Sequence, residues 1–236
     1  MKDLVQEIFN QYEWTTQFTI NNHPYGGSVR RLLMDERLVK FDKEFPVRGK
    51  QVLELGPLEA AHTITLKMLG AASVVSIEGQ VDNFYKCCMI SNLLSLQDCH
   101  FFYDDIEMIS EKFLKKLGEP FDVCLCCGIL YHLTKPWELL KKLAAVTDRL
   151  FIWTHVASDT YPATKNCIEK HYIGRYYTEV PGHMLSGLSP KSFWPYRSEL
   201  LSMLEDAGFI NNKILEEGVN EAGQSHILLY SYKEIQ

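Results

Sequence analysis

The sequence of 236 residues lacks any apolar run of about 18 residues, the length that a helix needs to cross a bilayer. Its first segment, residues 1–7, is interrupted by acidic and polar side chains. It therefore also lacks the basic and then apolar pattern of a secretory signal. We expect a cytoplasmic protein with no membrane partner.

Positive charge is also scarce, because 24 Lys and Arg residues stand against 30 Asp and Glu residues, for a formal net charge of −6. Adjacent basic residues form only pairs, at 30–31, 115–116 and 141–142. A nucleic-acid surface needs many basic side chains on one face, since its affinity comes from counterion release. The charge thus argues against nucleic acid and favours a small-molecule acceptor, and no pattern sets an oligomeric state.

The sequence has no paired cysteine motif of the kind that holds zinc. Its seven cysteines are odd in number, and most cluster at Cys87, Cys88, Cys124, Cys126 and Cys127, inside segments that we predict to be helix and strand. A zinc site of this kind requires a second pair of cysteine or histidine ligands, and the sequence has no such pair to complement the cluster at 124–127. We expect reduced, buried thiols and no metal site.

Short apolar runs alternate with amphipathic stretches from about residue 50, which is typical of βαβ units and a mostly parallel sheet. We predict one α/β domain with a doubly wound, Rossmann-like, seven-stranded sheet in which a C-terminal strand is antiparallel. The predicted strands are 51–55, 73–77, 99–103, 121–127, 149–155, 210–217 and 225–232. The predicted helices are 60–69, 81–95, 107–117, 136–146 and 197–207.

Two segments flank or interrupt this core, which we place at 46–156. Residues 1–45 are expected to form an N-terminal cap, with a helix carrying Val29, Leu32, Leu33, Leu38 and Phe41 after a loop at 23–27. Residues 157–197 are irregular and rich in aromatic residues and proline, including Tyr161 and Pro162. Long insertions of this kind are typical of substrate lids, although a surface excursion that packs on itself is the alternative. Residues 198–236 complete the domain.

The strand at 51–55 ends in Glu54 and Leu55, and Gly56 and Pro57 then lead directly into a helix. The carboxyl edge of such a sheet is where doubly wound folds bind ligands. Gly56 permits a sharp turn and a close approach to the main chain, and the helix N-terminus offers free N–H groups. Taken alone, this loop could equally be an ordinary turn.

Acidic residues follow the next two strands. Glu78, before Gly79, lies 78 − 56 = 22 positions after Gly56. This spacing matches that of the carboxylate that accepts hydrogen bonds from ribose hydroxyls in nucleotide-binding units. Asp104 and Asp105 precede Ile106, so a carboxylate could accept from the adenine amine while Ile106 packs on the ring. The alternatives are a solvated strand end for Glu78 and a helix cap for the aspartates.

Together, ELGPLE at 54–59, Ile77-Glu78, Asp105 and GILYHL at 128–133 resemble the ordered motifs of class I S-adenosylmethionine-dependent methyltransferases. With LFIWTH at 150–155, they resemble a branch related to the tRNA wobble-uridine carboxymethyl transferases. The resemblance implies S-adenosylmethionine as cofactor and S-adenosylhomocysteine as product, with Glu78 at the ribose. The residues assigned to the cofactor are Glu54, Leu55, Gly56, Pro57, Glu78, Gly79, Asp104, Asp105, Ile106, Cys127, Gly128 and Tyr131.

A nicotinamide dinucleotide is the competing cofactor. It requires G-x-G-x-x-G around a pyrophosphate, whereas Pro57, Leu58 and Glu59 follow Gly56 here, and we expect the Glu59 carboxylate to repel a pyrophosphate. One departure from the methyltransferase pattern is Ala60-Ala61 where glycines are expected, which bears on cofactor geometry.

Methyl transfer to a hydroxyl requires alignment and removal of a proton. His132 lies just past the strand at 121–127, and His155 is at the end of the strand at 149–155. An unperturbed histidine pKa of about 6.5 suits a base at neutral pH. Alternatively, His132 only orients its loop and His155 is a satisfied core residue.

Three functions remain open from the sequence. The first is methyl transfer to the hydroxyl of a metabolite, natural product or sugar. The second is tRNA modification, with a carboxylated cofactor and a basic face for RNA. The third is a cofactor-binding, non-catalytic subunit.

Overall fold

The structure is a computed structural model, and it describes residues 2–30, 32–118, 120–159 and 165–234. In chain order the elements are α1 (Lys2–Phe9), β1 (Gln17–Ile20), β2 (His23–Gly26), α2 (Glu36–Glu44), β3 (Gln51–Leu55), α3 (Ala61–Met68), β4 (Ser73–Glu78), α4 (Val81–Leu93), β5 (Cys99–Tyr103), α5 (Glu111–Leu117), β6 (Val123–Cys127), a 3-10 turn (Leu130–His132), α6 (Pro136–Ala144), β7 (Arg149–His155), β8 (Cys167–Glu169), β9 (Tyr172–Thr178), β10 (Lys191–Pro195), α7 (Arg197–Asp206), β11 (Asn211–Val219) and β12 (Ser225–Tyr232).

Among the described residues, the central sheet has seven strands in the order β11-β12-β7-β6-β3-β4-β5. Strands β3 to β7 pair in parallel, whereas β12 pairs antiparallel with both β7 and β11. The predicted doubly wound sheet with an antiparallel C-terminal strand is therefore confirmed. All five parallel strands end at one edge, which is where the chemistry-bearing loops gather.

The core lies on both faces of this sheet because successive strand residues point to opposite sides. Leu53 and Leu55 pack on one face in a cluster that includes side chains of α5, α6 and α7. Val52 packs on the other face with Phe41 of α2 and Leu66 of α3. Burial on both faces explains why the strands are continuously apolar.

The expected N-terminal helix through Val29, Leu32 and Leu33 is wrong. Helix α2 begins only at Glu36, since Met34 has a φ of 58° and the Asp35 side chain caps the first turn by accepting the Arg37 N–H. The loop expected at 23–27 is instead largely strand β2, paired with β1 across Asn21 and Asn22, both at positive φ. Such a turn is favourable for asparagine and closes a hairpin.

The segment at 157–197 is not irregular as expected. Strands β8, β9 and β10 form a three-stranded antiparallel sheet, with Tyr172 and Phe193 fully buried. These strands lack a clear period-2 pattern in the sequence, because aromatic residues are adjacent at 176–177 and at 193–194 and buried positions are consecutive along β10. Tyr161 and Pro162 lie outside the described residues.

The remaining expectations differ only at element ends, the largest being α5, which begins at Glu111 and not at 107. In the described part of the chain, no helix combines the length and the apolar character needed to cross a membrane.

Candidate active site

A cavity lies at the carboxyl edge of the sheet, between the ends of β3, β4, β5 and β6; we call it the edge cavity. Six of the residues chosen from sequence line it, and they come from four separate loops: Gly56, Glu78, Gly79, Asp105, Ile106 and His132. The lining also includes residues that the sequence did not single out for a ligand: Ile77, Gln80, Glu107, Ile129, Leu133, Ser186, Gly187 and Leu188.

Gly56 has a φ of +63°, and its N–H donates to the Ile77 carbonyl. A Cβ at this position would lie 2.0 Å from Ile129 Cδ1, so a larger residue would require the Ile129 side chain to move as well as an unfavourable positive φ. Ala60, where a glycine was expected, is held in the same left-handed region at a φ of +63° as it caps α3. Ala60 therefore adopts a left-handed backbone conformation that is typical of glycine and that costs conformational free energy for alanine.

Glu78 is held by its own loop neighbours. Its Oε2 accepts the Leu58 N–H at 3.1 Å, and its Oε1 accepts the Gln80 N–H at 2.8 Å. Burial raises the pKa of this carboxyl to about 7, even though these hydrogen bonds favour the charged form. The carboxylate is thus fixed in place at the edge cavity, with accepting capacity left for a ligand.

Asp105 combines both roles that the sequence left open. Its Oδ1 accepts the Glu107 N–H at 2.9 Å, as a turn cap does, and the residue also lines the edge cavity. Asp104 instead accepts the Asp105 N–H. Glu107, which sequence reasoning missed, accepts from Thr134 N and Oγ1, both at 2.7 Å, and so joins the loops after β5 and β6.

Several residues assigned to the cofactor do not line the edge cavity. The Glu54 carboxylate is buried, its Oε2 accepting from Thr63 and Ser76, and burial raises its pKa. Leu55 packs in the core, and the carbonyl of Pro57 accepts the Ala60 N–H. At the end of β6, burial raises the pKa of the Cys127 thiol to about 12. In the loop that follows, the Gly128 N–H donates to the Trp153 carbonyl, and Tyr131 lies among aromatic rings.

Glu59 does not act as the sequence led us to expect. Its two carboxylate oxygens accept the N–H groups of Thr15 and Thr16 at 2.8 and 2.7 Å, and Lys86 Nζ lies 3.3 Å away. Both charged side chains are essentially unexposed. Because this carboxylate is fully engaged with the N-terminal cap, the expected repulsion of a pyrophosphate is not supported.

Beside the edge cavity lies a group of rings that we call the aromatic cluster: Tyr131, Trp153, His155, Tyr177 and Trp194. Trp194 lies between His155, stacked at 4.9 Å, and Tyr177, stacked at 3.6 Å. Its Nε1 donates to the Tyr131 carbonyl at 2.7 Å. The cluster therefore joins the strand β10 to the loop after β6.

The two candidate histidines stand on either side of Tyr131, whose ring lies 4.1 Å from His132 and 4.6 Å from His155. His155 is buried and its Nδ1 contacts the Ser225 carbonyl at 3.2 Å. Burial lowers its pKa to about 4, so it is neutral at pH 7. His132 contacts a carboxylate instead, with Nδ1 at 3.1 Å from both oxygens of Glu179.

Arg37 is a second residue that sequence reasoning missed. Its guanidinium lies over the Trp153 ring at 4.5 Å and forms paired hydrogen bonds with Asp35, which also contacts His62 Nε2 at 3.1 Å. Burial alone would raise the pKa of Asp35, but these hydrogen bonds outweigh it and hold the pKa well below its usual range. The only signal in the sequence was the D-E-R order at a helix start.

No protein-family model matches the chain. Among curated proteins, it is 24% identical over 173 residues to a tRNA U34 carboxymethyltransferase of Desulfotalea psychrophila and 26% identical over 97 residues to one of Campylobacter hominis. These matches cover 73% and 41% of this chain. The chain matches only 49% and 32% of the length of these two relatives.

Solved structures give a likeness over the whole chain. The N-terminal domain of EvdMO1, crystallised with S-adenosylhomocysteine bound, has a TM-score of 0.85 and 25% identity, covering 99% of this chain and 98% of that one. A second structure of that domain was determined in the presence of S-adenosylhomocysteine and D-fucose. Magnesium protoporphyrin IX methyltransferase from Synechocystis PCC 6803, at 14% identity and a TM-score of 0.58, shares the fold over 85% of this chain and 81% of its own.

These matches confirm the resemblance to the methyltransferase class and support the wobble-uridine branch within it. The ordered motifs, the strand order and the full-length likeness agree. The chain is thus similar in sequence and in fold to S-adenosylmethionine-dependent methyltransferases with a Rossmann-like fold.

Proposed function

We propose that this protein transfers the methyl group of S-adenosylmethionine to a hydroxyl of a small molecule, with a sugar as the acceptor class. The observation that carries the proposal is the adjacency of two dissimilar regions. The edge cavity presents the fixed carboxylate of Glu78, and the aromatic cluster begins directly beside it at Tyr131. One region suits a nucleoside and the other a second, separate ligand.

The cofactor side of the proposal rests on Glu78, Gly56, Asp105 and Ile106. A buried carboxylate with spare acceptor capacity suits vicinal ribose hydroxyls. The bare backbone at Gly56 admits a close approach, while Asp105 and buried Ile106 offer a polar and an apolar contact to a base. When bound, the sulfonium supplies a methyl group that is open to in-line displacement.

The acceptor side rests on the aromatic cluster and on residues 157–197, which we propose to form the acceptor wall and cover. Trp194, His155 and Tyr177 cover one another. Tyr131 and Trp153 are only half-buried, so the exposed parts of these two rings could pack against the apolar face of a sugar ring. A structure of the similar EvdMO1 domain was determined in the presence of D-fucose, which supports testing a sugar as the acceptor. The net charge of −6 also favours a small acceptor over a nucleic acid.

The test is incubation with S-adenosylmethionine and a panel of free sugars that includes D-fucose, followed by mass spectrometry. We expect a product heavier by one methylene group and an equal amount of S-adenosylhomocysteine. The Glu78→Ala variant should lose this activity, and the Glu111→Ala variant, changed at an exposed helix position, should keep it. Turnover would exclude a non-catalytic subunit, whereas a wild type that binds no S-adenosylhomocysteine would refute the proposal.

A second candidate is carboxymethyl transfer to tRNA, as named for the two curated relatives. One structural observation favours it: Arg37 supplies a cation beside Trp153 and Tyr131, which could pair with a carboxylate on a modified cofactor. A carboxylated S-adenosylmethionine should then bind more tightly than the ordinary cofactor, and Arg37→Met should abolish the difference. Equal affinities, or tRNA binding that is weak and insensitive to salt, would reject this candidate.

A further inference from the structure

The loop between β9 and β10, residues 179–190, lies across the edge cavity; we call it the cover loop. Ser186, Gly187 and Leu188 of this loop line the cavity. Gly187 fits so closely that a Cβ there would lie 2.5 Å from the His132 carbonyl oxygen. Gln80 Nε2 also donates to the Ser186 carbonyl at 3.1 Å, so the loop is fastened to both sides of the cavity.

Glu179, at the start of the cover loop, is the residue that touches His132. Both of its oxygens lie 3.1 Å from His132 Nδ1, and Oε2 also accepts the Gly187 N–H at 2.8 Å. The carboxylate is largely buried. Burial alone would raise its pKa, but the hydrogen bonds from His132 and Gly187 lower it on balance, which keeps the group ionised at neutral pH.

An ionised carboxylate can only accept a hydrogen bond, so the contact places the His132 proton on Nδ1 and leaves the lone pair on Nε2. It would also stabilise the imidazolium that forms when Nε2 takes a proton. His155 has no such partner on its Nδ1, which meets a neutral carbonyl, and its burial disfavours the charged form. Of the two candidate histidines, His132 is therefore the better placed base.

We propose that His132 is the general base of the reaction and that Glu179 is its positioning residue, delivered by the cover loop. This inference rests on the methyltransferase function proposed above. The acceptor oxygen forms a bond to the methyl carbon while the carbon–sulfur bond breaks, and the sulfonium becomes a neutral thioether. The hydroxyl proton passes to His132 Nε2 and later to solvent. The cover loop thus lies over the cavity and holds Glu179 against the base.

The first test reads the tautomer of His132 without any turnover. In protein with 15N-labelled histidine and bound S-adenosylhomocysteine at pH 8, two-bond proton–nitrogen spectra distinguish the two tautomers. The His132 signal is identified by its loss in His132→Gln. We expect the Nδ1–H form, and an Nε2–H form would overturn the inference even if the protein methylates sugars.

The second test separates a chemical role from a structural one, with D-fucose as the acceptor. Glu179→Gln preserves an acceptor for Gly187 but removes the charge, so we expect kcat to fall about 10- to 100-fold with KM nearly unchanged. The affinity for S-adenosylhomocysteine should stay within about twofold. Asp206→Asn is the matched control, because Asp206 contacts His171 Nε2 at 3.0 Å far along the chain from this site, and it should leave kcat unchanged.

Either of two results would contradict the assignment. A Glu179→Gln variant with unchanged kcat would remove the positioning role. A variant with unchanged kcat but a raised KM would show that Glu179 only fastens the cover loop. Failure of the wild type to bind S-adenosylhomocysteine would instead count against the proposed function itself.

Discussion

The edge cavity and the aromatic cluster adjoin, yet they are built differently. The edge cavity is made by four loops that follow parallel strands and is covered by the cover loop, and its fixed groups are carboxylates and bare backbone. The aromatic cluster combines side chains from the loop after β6, from β7 and from the separate sheet β8–β10. The first follows from the architecture of the fold, whereas the second depends on side chains that come from two separate sheets.

The comparison extends to two acids near Gly56, of which one lines the edge cavity and the other is held in buried structural contacts. Glu78 lines the cavity, but Glu59, only a few residues after Gly56, is paired with Lys86 beneath the N-terminal cap. Substitution of Glu59 should therefore mainly reduce the stability of the fold, whereas substitution of Glu78 should mainly reduce the affinity for S-adenosylhomocysteine.

The largest effect is expected for Glu59→Gln, because it leaves the buried Lys86 charge uncompensated. We predict a loss of about 3–5 kcal/mol in the free energy of unfolding, measured by urea denaturation. Glu111→Gln, which breaks the exposed pair with Lys115, should change the stability little. A Glu59→Gln variant as stable as the wild type would contradict the structural role of this acid.

The next effect is on binding. Glu78→Ala should weaken the affinity for S-adenosylhomocysteine about 100-fold, since each hydrogen bond to a charged group contributes about 1.5–3 kcal/mol. Isothermal titration calorimetry measures it, and circular dichroism confirms that the variant is folded. Retained affinity would mean that Glu78 is not the ribose ligand.

A smaller effect is expected of pH on the affinity for S-adenosylhomocysteine. The pKa of Glu78 is raised to about 7 in the unliganded protein, and ribose hydroxyls should favour its ionised form. Affinity for S-adenosylhomocysteine should then fall up to about tenfold for each pH unit below 7, with proton release on binding. The raised pKa also links Glu78 to the stability of the unliganded protein. Its contribution to the free energy of unfolding is fully present below the pKa that the group has in the unfolded chain, and it is lost as the pH rises through about 7.

The control for the pH effect is Glu78→Gln, which cannot titrate. Its affinity should be lower than that of the wild type near pH 8 and should not change between pH 5.5 and 7.5. A wild-type affinity that is constant over this interval would show that the buried carboxyl is not linked to binding.

The smallest effect is expected for a substitution in the aromatic cluster. Trp194→Phe keeps a ring between His155 and Tyr177 but loses the hydrogen bond to the Tyr131 carbonyl. We predict a loss of about 1–2 kcal/mol in the free energy of unfolding and no change in S-adenosylhomocysteine affinity. An affinity change as large as that of Glu78→Ala would mean that the two regions are not separate.

The sequence predicted most of the fold because the central strands are buried on both faces and read as continuous apolar runs. It missed the hairpin β1–β2, whose turn depends on Asn21 and Asn22 at positive φ, and the sheet β8–β10, whose strands lack a regular alternation of apolar and polar residues. In both cases, the decisive contacts are local turn geometry and long-range packing, which hydrophobic periodicity does not encode.

For the site, spacing along parallel strands was sufficient to bring Gly56, Glu78 and Asp105 together at one edge. It could not show that Glu54 is buried between Thr63 and Ser76, since a strand-end acid has the same pattern in either case. Nor could it find Glu179 or Arg37, because their partners lie 47 residues away at His132 and across the sheet edge at Trp153.

The most direct test of the cofactor assignment is a crystal structure of this protein with S-adenosylhomocysteine. We expect the ribose hydroxyls within hydrogen-bonding distance of the Glu78 carboxylate and the sulfur directed toward Tyr131, between the edge cavity and the aromatic cluster. A nucleoside bound elsewhere, or a Glu78 carboxylate that makes no contact with the ribose, would contradict the account.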